Sequence, residues 1–284
     1  MLTRDHNRSI SQLKHSILGW WLPGRLTYNC EKGFALYTFA GQINASAAMT
    51  DIQVIALDAD DTLWHNEPFY TCAKERFIAL IAPYQPAGAV EEVLNERELA
   101  NLRYFGYGIK SFTLSLIESA IALTGGQVRA QDIQAILDTA KEVLTAELQL
   151  FPQVEETLAA LASRYPLMLI TKGDQNEQES KVARSGLGKY FRYIEVVGDK
   201  DESSYGLILG KYGIEPRRFL MVGNSLRSDI LPVLRLGGRA VYIPYANTWA
   251  HENAVDEQPE AEDYMELPSL SALPELLRSW SDQG

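Results

Sequence analysis

Ile52-Gln53-Val54-Ile55-Ala56-Leu57-Asp58-Ala59-Asp60-Asp61-Thr62 begins as a short apolar run rich in β-branched residues and ends in a cluster of carboxylates. The apolar half reads as a strand. Because it lacks clean apolar–polar alternation, it fits a strand buried on both faces, as in a parallel sheet. Similar runs recur at residues 167–170, 193–197, 219–222 and 240–243, and helical patterns separate the later ones at 176–185, 202–212 and 228–236. Strand–helix alternation predicts an α/β fold with a doubly wound parallel sheet. Ligands of such open sheets bind at the carboxyl ends of the strands, which is where Asp58, Asp60 and Asp61 fall.

Between the first and second strands lies a long stretch that reads as helix throughout. Phe69, Cys72, Ala73, Phe77, Leu80 and Ile81 recur at helical spacing, as do Phe112, Leu116, Ala120 and Leu123, and then Ile133, Ile136, Leu137, Ala140 and Leu144. Pro83 and Pro86 bracket a turn, Gly125-Gly126 offers a helix stop, and residues 90–104 form a further, less periodic helix. Four helices here predict an inserted helical cap at residues 66–151. The α/β core is then discontinuous, at 50–65 and 152–284.

Residues 1–49 stand apart from both. The first 48 hold five Lys/Arg against two Asp/Glu, and their apolar run at 17–22 is cut by Pro23-Gly24. That run is shorter than the roughly 7–15-residue apolar core of a secretory signal. Met49 is followed at once by Thr50-Asp51 and a strand, as at the start of a compact domain. Residues 1–49 are therefore expected to be an N-terminal extension, a mis-assigned start or a poorly ordered tail.

Composition narrows the function classes. The 284 residues are 46% hydrophobic and 22% charged, an ordinary globular balance. With 26 Lys+Arg against 37 Asp+Glu, the formal charge of −11 disfavours nucleic acid and anionic lipid as partners. Cys30 and Cys72 build no disulfide framework and have no metal-ligand spacing. No run approaches the roughly 18 apolar residues of a membrane span. The expectation is a cytoplasmic enzyme acting on a small molecule, with no nucleic-acid or membrane partner.

Asp58 and Asp60 can share one site if the loop coils tightly after the strand. Two carboxylates so placed let one attack while the other moves protons. Taken alone, such a pair equally serves to cap the next element. Its companions at other strand ends add to it. Thr171 closes the second strand, Lys200 follows the third, and the fourth ends in Gly223-Asn224-Ser225 with Asp229 five residues after Asn224.

In this order the residues resemble the four motifs of the haloacid dehalogenase superfamily of hydrolases. The motifs are Asp-x-Asp-x-Thr, a Thr or Ser, a Lys, and an acidic Gly-Asp segment. The resemblance covers residues 51–250 and implies a Rossmann-like core carrying an α-helical cap. It implies a Mg²⁺-dependent phosphatase that hydrolyses a small phosphorylated metabolite through an aspartyl-phosphate. Asp58 is then the nucleophile and Asp60 the acid and base, while Thr171 and Lys200 hold the phosphoryl oxygens. Mg²⁺ is implied at Asp58, the Asp60 carbonyl, Asn224 and Asp229. The family usually has Asp where this chain has Asn224, so one negative charge is missing, with Asp229 and Asp61 nearby.

Three alternatives stand beside the phosphatase. A 2-haloacid dehalogenase needs no acid two residues after its nucleophile, because halide leaves without a proton. A phosphonate hydrolase needs a cap lysine, and the sequence singles out none of Lys74, Lys110 and Lys141. A non-catalytic binding protein of the same fold is favoured only by Asn224. His65 and His251 read as surface or packing residues. The stretch 104–108, Tyr-Phe-Gly-Tyr-Gly, suits a loop dipping toward the site with Arg103 and Lys110 beside it, or an ordinary interhelical turn. The acidic tract at 256–263 reads as a solvated loop.

Overall fold

A computed structural model describes residues 51–253 and 263–281. The expected extension over residues 1–49, Cys30 and all of the acidic tract but Asp263 lie outside the described residues. Among the described residues, six parallel strands form one sheet in the order β3-β2-β1-β4-β5-β6. They are β1 (Val54–Leu57), β2 (Leu167–Lys172), β3 (Tyr193–Val197), β4 (Phe219–Gly223), β5 (Arg239–Tyr242) and the short β6 (Met265–Glu266). Succession runs outward from β1 to β2 and β3, then returns to β4 on the other side of β1. That reversal opens a crevice at the carboxyl ends of β1 and β4, where such sheets bind ligands.

Both faces of the sheet are covered, which explains the unbroken apolar runs. Ile55, Leu57, Leu169 and Val222 point to one side, against Leu158, Leu277 and Trp280. These last come from α5 (Val154–Ala162) and α10 (Leu273–Ser281). Val54, Ala56, Ile170 and Met221 point to the other, against Tyr205 and Ile208 of α7 (Glu202–Tyr212). The helix α5 falls outside the expected elements, although Val154, Leu158 and Leu161 recur on one buried face. At residues 228–236 the expected single helix is instead a π-helical turn, Leu226–Ile230, leading into α8 (Leu231–Arg235). Pro232 at the start of α8 has no N–H to continue a regular ladder, and the wider turn accommodates it.

The stretch between β1 and α5 is helical as expected: α1 (Glu67–Ile81), α2 (Ala87–Phe105), α3 (Ile109–Leu123) and α4 (Ala130–Thr145). Phe77, Ile81, Leu94, Phe112, Leu116 and Ile136 close a hydrophobic cluster of their own, separate from those on the sheet. Pro68 opens α1, where its fixed φ suits the first turn. No helix among the described residues is long and apolar enough to cross a membrane.

Candidate active site

The chain leaves β1 at Asp58 and coils at once, with the Leu63 N–H donating to Ala59 O at 2.8 Å. Asp61 takes a left-handed φ of 61°, a conformation that Asp tolerates better than most residues. This coil puts Asp58 and Asp60 on one cavity. Asp58 accepts the Thr62 hydroxyl at 2.9 Å on one oxygen and the Lys200 ammonium at 2.5 Å on the other. The same ammonium reaches Asp229 Oδ1 at 2.7 Å, so one buried cation bridges two buried acids. Burial pushes the Asp58 carboxyl up to about 7 against the pull of Lys200, and the Asp229 charge adds to the rise. Burial disfavours the Lys200 cation, but the two carboxylates outweigh it and hold the amine protonated.

At the end of β4, Gly223 is required by contact. A Cβ there would lie 2.2 Å from Asp229 Oδ2, because the Asp229 carboxylate packs over the glycine. That oxygen also accepts the Ser225 N–H at 3.0 Å. Asn224 is oriented from outside the motif. Its Nδ2 donates to Thr248 Oγ1 at 3.2 Å, while the Thr248 hydroxyl gives its own proton to Tyr245 O at 2.8 Å. Thr248 therefore serves Asn224 as an acceptor, and the amide oxygen turns inward to lie 3.3 Å from Thr62 Oγ1.

This donor set fits a hard cation. Asp58 Oδ2 and Asn224 Oδ1 converge on the same Thr62 hydroxyl, and both are oxygen ligands of the type Mg²⁺ takes. Among the described residues no three His, Cys, Asp or Glu side chains gather around a possible metal position. A cation here would draw on the amide oxygen and backbone carbonyls as well as carboxylate. Asp61, considered from the sequence as a nearby acid, is committed elsewhere. It accepts the Asn66 and Glu67 N–H groups at 2.9 and 3.1 Å, capping the start of α1, while burial pushes its carboxyl up.

Asp60 is held by residues that the sequence reading missed. Trp64 Nε1 donates to it at 2.7 Å, Gln178 Nε2 at 2.9 Å and Lys181 Nζ at 2.9 Å. Burial alone would raise its pKa, but Lys181, Gln178 and Trp64 outweigh that and keep the carboxylate ionised. Gln178 and Lys181 lie on α6 (Gln175–Ser185), whose N-cap is Asp174. Thr171 is buried at the end of β2 and lines the cavity. Lys172, also unforeseen, reaches Ser228 Oγ at 2.7 Å and Glu252 Oε1 at 2.5 Å. Glu252 lies on the short α9 (Ala250–Asn253) and takes the Ser225 and Ser228 hydroxyls at 2.7 and 2.6 Å.

The cavity holds about 160 Å³ and is lined on its far side by the helices inserted after β1. The 104–108 stretch divides: Gly106, Tyr107 and Gly108 line the cavity, whereas Tyr104 and Phe105 are exposed. Gly108 has φ 107°, and a Cβ on it would sit 2.8 Å from Glu177 Oε2. That oxygen accepts the Ile109 N–H at 2.9 Å, which fastens the start of α3 to α6. Lys110 pairs with Asp174 and Arg103 lies over Tyr104, so neither lines the cavity. His65 packs on Phe151 with Nδ1 3.0 Å from the Tyr245 hydroxyl, and His251 packs on Trp249; neither lines the cavity. Of the three cap lysines only Lys74 lines it, 3.2 Å from Glu98 Oε2.

Comparison with known proteins places this geometry among relatives. A family model described as haloacid dehalogenase-like hydrolase matches residues 52–237. A solved haloacid dehalogenase-like family hydrolase from Xanthomonas campestris aligns with a TM-score of 0.73 and 39% identity, covering 84% of this chain and 96% of its own. The 5-amino-6-(5-phospho-D-ribitylamino)uracil phosphatase of Escherichia coli K12 is 25% identical over 241 residues, 79% of this chain and 91% of its own. A phosphoglycolate phosphatase of Yersinia pseudotuberculosis is 29% identical over 205 residues, 68% of this chain and 82% of its own.

Proposed function

We propose, from the premise that this chain belongs to the haloacid dehalogenase-like hydrolase family, that it is a Mg²⁺-dependent phosphatase of a small phosphorylated metabolite. The observation that carries this reading is the placing of a second carboxylate, Asp60, on the same cavity as Asp58. Halide departs without a proton, so carbon–halogen cleavage has no use for that second acid. An alkoxide leaving from phosphorus needs it. The phosphatases among the relatives support the same choice.

In this reading an Asp58 carboxylate oxygen attacks phosphorus, the bond from phosphorus to the ester oxygen breaks, and Asp60 gives the departing alkoxide a proton. Asp60 then takes a proton from water as that water attacks the aspartyl-phosphate. The bond between Asp58 and phosphorus breaks and inorganic phosphate leaves. Lys200 balances the charge of Asp58, and Thr171 with Lys200 meets the phosphoryl oxygens. The cation, when bound, neutralises negative charge on the transferring group. Asp58, the Asp60 carbonyl, Asn224 and Asp229 would hold it. Asp60 paired with Lys181 is in the ionised form that suits the water-activating half of the cycle. The acid half requires it to turn from Lys181 to the ester oxygen carrying a proton. The compartment that fits is the cytoplasm, where charged phosphate esters are retained.

The test is hydrolysis of p-nitrophenyl phosphate with Mg²⁺ and after its removal by chelator. Turnover that depends on Mg²⁺ supports the reading. Release of halide from a 2-haloacid with no phosphate release, or absence of turnover altogether, overturns it.

A further inference from the structure

The cavity has two chemically distinct ends. Asp58, Thr171 and Lys200 form one, beneath which the strands terminate. The other is built by the inserted helices: Glu67 and Lys74 from α1, Glu98 from α2, and Ser111 and Phe112 from α3. Resting on the phosphatase reading, we infer that this second end selects the alcohol part of the substrate for hydroxyl or amino donors and rejects a carboxylate there.

The charges at this end do not balance. Two carboxyl groups share one ammonium, with Lys74 Nζ lying 3.2 Å from Glu98 Oε2. Glu98 is 8% exposed, and among the described residues that oxygen has the Lys74 ammonium and no second donor on the cavity wall. A buried carboxylate served by a single cation keeps lone pairs that a ligand donor can satisfy. The rise of both carboxyls on burial, Glu67 to about 7, fits the same shortage of donors. Among the described residues the neighbouring lysines are engaged, Lys110 with Asp174, Lys181 with Asp60 and Lys172 with Glu252, while Arg227, whose charge reaches Tyr107, does not line the cavity. A ligand carboxylate would meet Glu67 and Glu98 with no spare ammonium to receive it. A hydroxyl or amine finds an acceptor, and the Phe112 and Trp249 rings beside Lys74 cover the carbon skeleton.

This sets the chain apart from the substrate in the name of its Yersinia pseudotuberculosis relative, since phosphoglycolate carries a carboxylate on its alcohol part. The experiment measures kcat/KM of the full chain for glycerol 1-phosphate, phosphoethanolamine and phosphoglycolate, with p-nitrophenyl phosphate as reference. The expected order puts at least one donor-bearing ester about tenfold or more above phosphoglycolate, since like charges meeting in a buried site discriminate at least that strongly. The two donor-bearing arms tell hydroxyl from amine. Within Glu98→Gln and within Glu67→Gln the same ratio should narrow by about threefold or more, a comparison internal to each variant that cancels general losses. Phosphoglycolate equal or preferred in the wild type overturns the inference, whether or not the variants fold. A ratio unchanged in both variants also overturns it. Failure of all four esters strikes the phosphatase reading itself and this inference with it.

Discussion

Replacing Glu252 by Gln tests whether the loop after β4 is held by charge. Glu252 faces Lys172 at 2.5 Å and takes the hydroxyls of Ser225 and Ser228, residues that flank Asn224 and Asp229. Burial alone would push its carboxyl up. The Lys172 ammonium and the two hydroxyls outweigh burial and bring it from 4.5 down to about 2. A fall of that size corresponds to about 3 kcal/mol favouring the ionised folded form. The sign follows from linkage. A carboxylate depressed in the fold contributes fully above its unfolded value and loses that contribution as pH drops through its folded value. At pH 7, Glu252→Gln should therefore cost about 3 kcal/mol, or about 6–12 °C in Tm for a domain of this size. The gap to wild type should persist down to about pH 5, narrow below 4.5, and fall to less than half by about pH 3. Urea unfolding of both proteins across that range measures it. A cost under about 1 kcal/mol at pH 7, or a gap of the same size at pH 7 and pH 3, would refute the argument that Lys172 and Glu252 act as a buried ion pair.

Asp58→Asn should abolish p-nitrophenyl phosphate turnover with an unchanged circular dichroism spectrum, because Lys200 keeps Asp229 as partner. Asp60→Asn should slow poor leaving groups far more than good ones; equal slowing in a series of aryl and alkyl phosphates means Asp60 is not the acid. Gly108→Ala forces a side chain onto φ 107° and within 2.8 Å of Glu177 Oε2, breaking the Ile109 tie between α3 and α6. It should cost about 1–3 kcal/mol in unfolding and raise KM, and an unaltered KM would show that the tie does not shape the cavity. Asn224→Asp should lower the Mg²⁺ concentration giving half-maximal activity, and an unmoved titration would remove Asn224 from the ligand set.

What the sequence made legible was local. The run from Ile52 to Thr62 announces strand, coil and acids within one stretch, and each of the next three strands, β2 to β4, brings its own polar residue to the same end of the sheet. Partners that depend on how helices dock were hidden. Lys181 and Gln178 reach Asp60 from more than a hundred residues away, on a helix whose buried face includes Glu177, Gln178 and Lys181 beside Val182. A buried face of that kind carries no apolar periodicity to read. Glu252 and Lys172 are likewise 80 residues apart and meet only because α9 folds back over the loop after β4. Asp61 misled in the opposite direction. Its spacing suggested a spare acid for the cation, but its left-handed backbone turns the carboxylate to the first N–H groups of α1.

The amide at Asn224 is matched to its surroundings rather than a bare loss of charge. Lys200 already serves two carboxylates, and a third acid beside Asp58 would add repulsion where Asp58 is already pushed up by burial and by Asp229. Thr248 also favours the amide. Its hydroxyl proton is committed to Tyr245 O, so it presents a lone pair to position 224, and only an N–H donor satisfies that contact. An aspartate there would set oxygen against oxygen unless Thr248 gave up its bond to Tyr245. The amide thus keeps its oxygen turned inward toward Thr62 and Asp58 and an outward donor for Thr248. The charge it omits would fall beside Asp58 and Asp229, which already share the one Lys200 ammonium. Under the proposed Mg²⁺-dependent phosphatase, metal affinity and phosphate affinity would pull in opposite directions at this position, because each added anion that holds Mg²⁺ also repels the ester.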